Sequence, residues 1–122
     1  EKLEVKPSLR LSTSDELLPR LRWTAILYGR GGCDIAITGG IHTIEDVVKG
    51  IMAGAAVTMT TSALIQKGAG HIKTLRDGLS SWLDEHGHES VSDMRGIMSH
   101  QKVAEPAAFE RANYMKIVGA GE

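Results

Sequence analysis

The sequence predicts an α/β fold with a small parallel sheet, and three observations carry that reading. Two short apolar strands, within 33–41 and 55–64, each end in a small-residue turn that opens a helix. Between them lies an amphipathic segment with Ile44, Val47, Val48, Ile51 and Met52 at helical spacing. Strand, helix and strand fit within about 28 residues, the length of a parallel βαβ unit.

The elements follow in order. From Glu1 to Ser14 the pattern is irregular; Leu9 and Leu11 alternate with Ser8, Arg10 and Ser12, which permits one short strand. Asp15 and Glu16 read as loop residues without a catalytic partner. Pro19 suits a first helical turn, and a helix over Arg20–Tyr28 follows with Leu21, Ala25 and Tyr28 on one face; Gly29 ends it. The loop Gly29–Gly32 leads into a strand over Asp34–Thr38. Thr43-Ile44-Glu45-Asp46 is a relative of the capping box with a shorter acid, and Gly54 stops the helix that it opens. After the second strand a helix begins near Ala63, and another runs from about Ala69 to His86. The latter shows Ile72, Leu75, Leu79, Trp82 and Leu83 on one face, with Gly87 past its end. Ser90 with Asp93 caps a short helix, and Pro106 opens a last amphipathic one over Ala107–Lys116. The expected organisation is one unit: a barrel-like segment over 1–88 and a helical tail over 89–122 that packs on it.

Composition narrows the function. The chain has 122 residues and a net charge of −1, with acids and bases interspersed, so nothing resembles a nucleic-acid-binding stripe. One cysteine, Cys33, cannot form an intrachain disulfide, which fits a reducing, cytoplasmic setting. No apolar run approaches the ~20 residues of a membrane span, and no signal peptide opens the chain. The first residue is Glu1, which suggests a chain processed or cut from something longer.

The two turns carry the candidate site. Gly39-Gly40 offers no side chains to obstruct an anion, and the N–H groups of Gly40, Ile41 and His42 precede a helix N-terminus. Thr60, Thr61 and Ser62 add hydroxyls and further N–H groups on the neighbouring strand. Together they suit a phosphate without a lysine. Such turns recur after strands seven and eight of (β/α)8 barrels. A Gly-Gly after a strand is often merely a tight turn, and Thr-Thr-Ser is often cap chemistry; their pairing on consecutive strands favours the phosphate. His42 is in reach of the same anion, although a lone loop histidine is usually just a polar loop residue. His86 and His88 complement a helix end and lack the partners of a metal site, so none is assigned. Cys33 is expected as a small buried apolar residue, and Trp23 and Trp82 as core or interface residues. Neither a Gly-x-Ser-x-Gly elbow, a P-loop Gly-Lys-Ser/Thr nor a His-Glu-x-x-His occurs.

Several blocks resemble a known family. Ile35-Ala36-Ile37-Thr38-Gly39-Gly40-Ile41-His42-Thr43, Asp46, Ala53-Gly54-Ala55 and Thr61-Ser62-Ala63-Leu64 are similar to the C-terminal part of dihydroorotate dehydrogenases. Leu11 to Leu17, Leu21-Arg22-Trp23, Ala25 to Arg30 and Phe109 to Lys116 resemble the bacterial dihydroorotate dehydrogenase-like flavoproteins. The resemblance implies an FMN-binding (β/α)8 TIM barrel, of which this chain holds about strands seven and eight with flanking helices and a helical tail. It implies FMN-phosphate contacts at Gly39, Gly40 and Ile41 and at Thr60, Thr61 and Ser62, with Thr61 standing where the family usually has glycine. In the complete barrel it implies oxidation of a dihydropyrimidine-like substrate with hydride transfer to FMN. The family's Ser or Cys base, its lysine and its substrate-gripping asparagines come from earlier strands, so no catalytic residue is assigned here.

Elementary packing agrees that so small a sheet is incomplete, because its edges and one face stay open. A homo-oligomer, or a complex with the missing strands, is therefore expected. Two other readings fit the same turns: a sugar-phosphate isomerase or aldolase barrel, and a non-catalytic partial barrel that self-associates.

Overall fold

The computed structural model describes residues 9–102. Five helices accompany a two-stranded parallel sheet: β1 (Ala36–Thr38) and β2 (Val57–Met59), with α1 (Leu17–Leu27), α2 (Ile44–Ala53), α3 (Ser62–Lys67), α4 (His71–Glu85) and α5 (Val91–Met94).

Leu9–Ser12 forms no strand; it runs as irregular chain towards a single 3-10 turn at Ser14–Glu16. That turn passes directly into α1, so the helix starts three residues before Arg20, and Asp15 and Glu16 lie in the turn instead of a loop. Two acids at a helix start are favourable there. Pro19 sits within the first turn, where its missing N–H has no intrahelical acceptor to lose. At the other end the Tyr28 N–H still bonds Thr24 O at 2.9 Å, and Gly29 leaves the helix at φ 77.

The sheet pairs Ala36 with Val57, Ile37 with Thr58 and Thr38 with Met59. Because side chains alternate along a strand, the two faces have different fates. Ile37 is 3% exposed and lies under α2, where Gly50 allows the helix close to the sheet; a Cβ there would come within 2.9 Å of Thr58 Cγ2. On the opposite face Val57 is 54% and Met59 52% exposed beside Ala36 and Thr38. No described residue covers that face.

α2 forms because its capping residues and its stripe agree. Thr43 Oγ1 accepts the Asp46 N–H at 3.2 Å, and Asp46 Oδ2 accepts the Thr43 N–H at 3.0 Å, so Asp fills the role usually taken by Glu. Val47, Val48 and Ile51 then enter a core shared with Leu17, Ile37, Ile41, Ala55, Leu75 and Met94. Leu79, Trp82 and Leu83 of α4 pack against this core, whereas Ile72, in the first turn, stays exposed. α4 ends as expected: the Gly87 N–H bonds Asp84 O and the His88 N–H bonds Leu83 O, with Gly87 at φ 71. Beyond it, Asp93 accepts the Glu89 and Ser90 N–H groups and starts α5, whose Met94 is fully buried.

After α5 the chain crosses the ends of α2 and α1. Gly96 donates its N–H to Ile51 O, Met98 to Met52 O and His100 to Ala25 O, at 2.8–3.0 Å. Tyr28 fills the space between Gly54 and Gly96, since a Cβ at either would overlap its ring. The helix expected over 107–116, and the Phe109–Lys116 block, lie outside the described residues.

One further expectation changes and another narrows. Cys33 is exposed, because β1 begins only at Ala36 and leaves Cys33 in the bend ahead of it. Of the two places expected for Trp23, core or interface, the core is excluded, since it is 60% exposed on α1. Among the described residues no group of three or more potential ligands could hold a metal, and no helix is long and apolar enough to cross a membrane.

Candidate anion-binding cleft

Three segments meet at the C-terminal ends of β1 and β2. A cleft of about 170 Å³ is lined there by Arg10 and Ser12, by Thr38, Gly39, Gly40 and Ile41, and by Met59, Thr60, Thr61 and Ser62. All six residues expected to hold a phosphate therefore line one cavity. Its size is below the range of pockets that enclose a drug-sized ligand, so it suits one small group of a larger molecule. Its chemistry is one-sided. Among the described residues Arg10 is the only charged one in the lining, and no carboxylate lines it.

Each turn reaches this position for a local reason. Gly39 and Gly40 adopt φ 82 and 88 in succession, a region that other residues rarely enter. A Cβ on Gly40 would lie 2.7 Å from the backbone nitrogen of Leu17, and one on Gly39 would lie 2.9 Å from Arg20. The glycines thus answer to the turn and to the close approach of α1 as much as to any ligand. Thr60 is a brace: its hydroxyl donates to Ile41 O at 2.7 Å and ties the two turns together. Thr61 sits at φ −131, so the residue that departs from glycine imposes no backbone strain. Its side chain is exposed, and its carbonyl accepts the Leu64 and Ile65 N–H groups.

The expected backbone donors are partly engaged within the protein. The Gly40 N–H donates to Ser12 Oγ at 3.2 Å. The His42 N–H donates to Asp46 Oδ2 at 3.0 Å, so the start of α2 is occupied by its own carboxylate. Burial of Asp46 works against its charge. Hydrogen bonds from the Ser14 hydroxyl (2.7 Å), from the His42 and Thr43 N–H groups and from Thr43 outweigh that and hold its carboxyl below the usual range.

Ser12 is the residue that reading the chain in isolation missed. Its hydroxyl lies 3.1 Å from Ser62 Oγ and 3.3 Å from His42 Nε2, and its N–H donates to Ser62 Oγ at 3.1 Å. The available signal was Leu11-Ser12-Thr13-Ser14 among the resemblance blocks, which periodicity rendered as a strand. His42 is buried rather than a solvated loop residue, and its carbonyl accepts the Nε2–H of His71 at 2.7 Å.

Comparison with known proteins gives these residues a context. No family model matches the chain. A dihydroorotate dehydrogenase (quinone) of Trichodesmium erythraeum is 38% identical over 68 residues, 56% of this chain and 18% of that protein. The chain resembles the dihydroorotate dehydrogenase family. The NAD-dependent dihydropyrimidine dehydrogenase subunit PreA of Escherichia coli is 33% identical over 91 residues, 68% of this chain and 22% of that subunit. The catalytic subunit of a dihydroorotate dehydrogenase B (NAD(+)) from Thermoplasma acidophilum is 35% identical over 66 residues, 54% of this chain and 22% of that one. This dihydroorotate dehydrogenase-like chain thus spans about a fifth of the length of the relatives it matches.

Proposed function

We propose that this chain is the FMN-phosphate-binding, C-terminal part of a dihydroorotate dehydrogenase-like oxidoreductase. The observation that carries the proposal is the meeting of both turns and the Arg10–Ser12 segment around one small cleft to which the described residues bring a cation and no acid. The donor set fits a phosphate. Arg10 supplies charge, Ser62 and Thr61 supply hydroxyls, and the glycine turn keeps backbone N–H groups close. When bound, FMN supplies the hydride-accepting chemistry for a dihydropyrimidine-like substrate. The chain's own contribution is to fix the phosphate end and so orient the rest of the cofactor.

The uncovered sheet face supports the partial-barrel reading. With α2 on one side, Ala36, Thr38, Val57 and Met59 take the positions of side chains that fill the inside of a (β/α)8 barrel. The remaining strands, or a second copy of the chain, would cover them. A cytoplasmic location goes with this reading.

The test is a visible absorbance spectrum of the purified chain after addition of excess FMN and desalting. Flavin absorbance retained by the wild type and lost in Arg10→Glu supports the proposal. FMN that washes through a chain still folded by circular dichroism rejects binding by this piece alone and favours a non-catalytic partial barrel.

A further inference from the structure

The Ser12 hydroxyl poses a proton-counting problem whose solution assigns a role to His42. A serine hydroxyl has one proton and two lone pairs. Ser12 Oγ has three polar neighbours: the Gly40 N–H at 3.2 Å, Ser62 Oγ at 3.1 Å and His42 Nε2 at 3.3 Å. The Gly40 N–H can only donate, so it takes one lone pair. Of the other two neighbours, one must give Ser12 a proton and the other must receive one.

Two arrangements satisfy this. In the first, His42 Nε2–H donates to Ser12 and Ser12 donates to Ser62. Ser62 Oγ then accepts twice, from the Ser12 hydroxyl and from the Ser12 N–H, and its own proton is left for the cleft. In the second, a bare His42 Nε2 accepts from Ser12, and Ser12 accepts from Ser62. The Ser62 proton is then spent inside the protein, one lone pair still accepts the Ser12 N–H, and the cleft faces a hydroxyl oxygen with one free lone pair and no proton. An anion is attracted by the first arrangement and repelled by the second.

We propose that His42 is a positioning residue for the anion: by donating Nε2–H to Ser12 it turns the Ser62 hydroxyl proton into the cleft. His42 is placed to do this without touching the ligand, since it is buried and does not line the cavity. Its backbone is held independently by Asp46 on the N–H and His71 on the carbonyl, so the ring can be changed while its mounting stays. The inference rests on the proposed phosphate site and says how that site selects a proton-accepting ligand.

The experiment compares wild type, His42→Leu, His42→Gln, Ser62→Ala and the His42→Leu/Ser62→Ala double variant. Binding of FMN and, separately, of inorganic phosphate is followed by calorimetry, and folding by circular dichroism. A hydrogen bond to a charged group is worth about ten-fold or more in affinity. Ser62→Ala should therefore weaken binding at least about ten-fold, and His42→Leu, which removes the bias on the Ser12 hydroxyl and leaves both arrangements open, should weaken it measurably but by a smaller factor. His42→Gln, whose amide N–H can stand in for Nε2–H, should recover most of the loss. The double variant should bind no worse than Ser62→Ala alone, because His42 acts on the ligand only through the Ser62 proton. Long-range nitrogen–proton NMR of the ligand-bound chain should show His42 protonated at Nε2.

Wild-type affinity in His42→Leu, additive losses in the double variant, or a bare Nε2 in the bound state would each overturn the inference while leaving the phosphate site standing. Binding of phosphate but not FMN would remove the cofactor reading, and the variants would still judge His42 with phosphate as the probe. A wild-type chain that binds neither rejects both.

Discussion

Gly78, in the middle of α4, leaves the room that the Ile44 side chain of α2 occupies: a Cβ at Gly78 would overlap Ile44 Cδ1. A glycine inside a helix normally weakens it, so this one reflects packing between two helices that share the core. Helix propensity alone would make Gly78→Ala stabilising by about 1 kcal/mol. Overpacking of a filled interface costs about 1–3 kcal/mol. The net expectation is a lower melting temperature for Gly78→Ala, recovered in part by Ile44→Ala in the same chain. A melting temperature above wild type for the single variant would show that the two helices can slide apart.

Gly40→Ala should unfold the chain at markedly lower urea, because it combines φ 88 with a contact on the Leu17 backbone. Thr61→Gly, by contrast, meets no strained conformation, and should cost only about 0.5–1 kcal/mol through added backbone freedom. Equal urea midpoints for the two variants would mean that the Gly40 turn is not pressed against α1 in solution.

Asp46 makes acid stability measurable. Its carboxyl is held below its unfolded value, so the associated stability is fully present above about pH 3.9 and is lost as pH falls through the folded value. Asp46→Asn should remove part of this acid-side slope. At neutral pH it should cost about 1–3 kcal/mol, since the Ser14 hydroxyl and two backbone N–H groups lose a charged acceptor. Urea midpoints between pH 3 and 7 decide; an unchanged slope in Asp46→Asn would assign the acid sensitivity to other carboxylates.

Trp82 stacks on His86 with ring centroids 3.9 Å apart and on His88 at 5.8 Å, all near parallel. Replacing both histidines by alanine should uncover the indole and move the fluorescence emission attributable to Trp82 to longer wavelength. To isolate that signal, Trp23 is first changed to Phe. The expected stability loss is about 0.5–1.5 kcal/mol. Emission that does not move would mean that the stack is not populated in solution.

Much of this molecule was legible in the sequence because single residues state local chemistry. Thr43 with Asp46, Gly54, Gly87 and the 44–52 stripe each name a helix start, stop or buried face, and each appears where expected. The meeting of Gly39–Ile41 with Thr60–Ser62 was legible too, since it follows from parallel pairing of adjacent strands. What the chain concealed depends on contacts distant in sequence. Ser12 reaches Ser62 across fifty positions, and nothing in the pattern near Ser12 reports it. Cys33 looked like part of an apolar strand, but the pairing extends only from Ala36. The reason for Gly40 lies partly in α1, which periodicity places on a helix without saying what it touches.

The crossing segment after α5 has a consequence for how the chain must be assembled. The N–H groups of Gly96, Met98 and His100 bond carbonyls at the ends of α2 and α1, the last of them spanning 75 residues back to Ala25. Both helices close their own last turns, through Gly54 and Tyr28, and gain these further bonds only from a stretch made much later. Emerging from a ribosome, α1, α2 and the sheet would lack these last bonds until residue 100 is clear of the exit. A version stopped before Gly96 would keep every residue of the cleft and yet lack the fastening that holds the two helices beneath it.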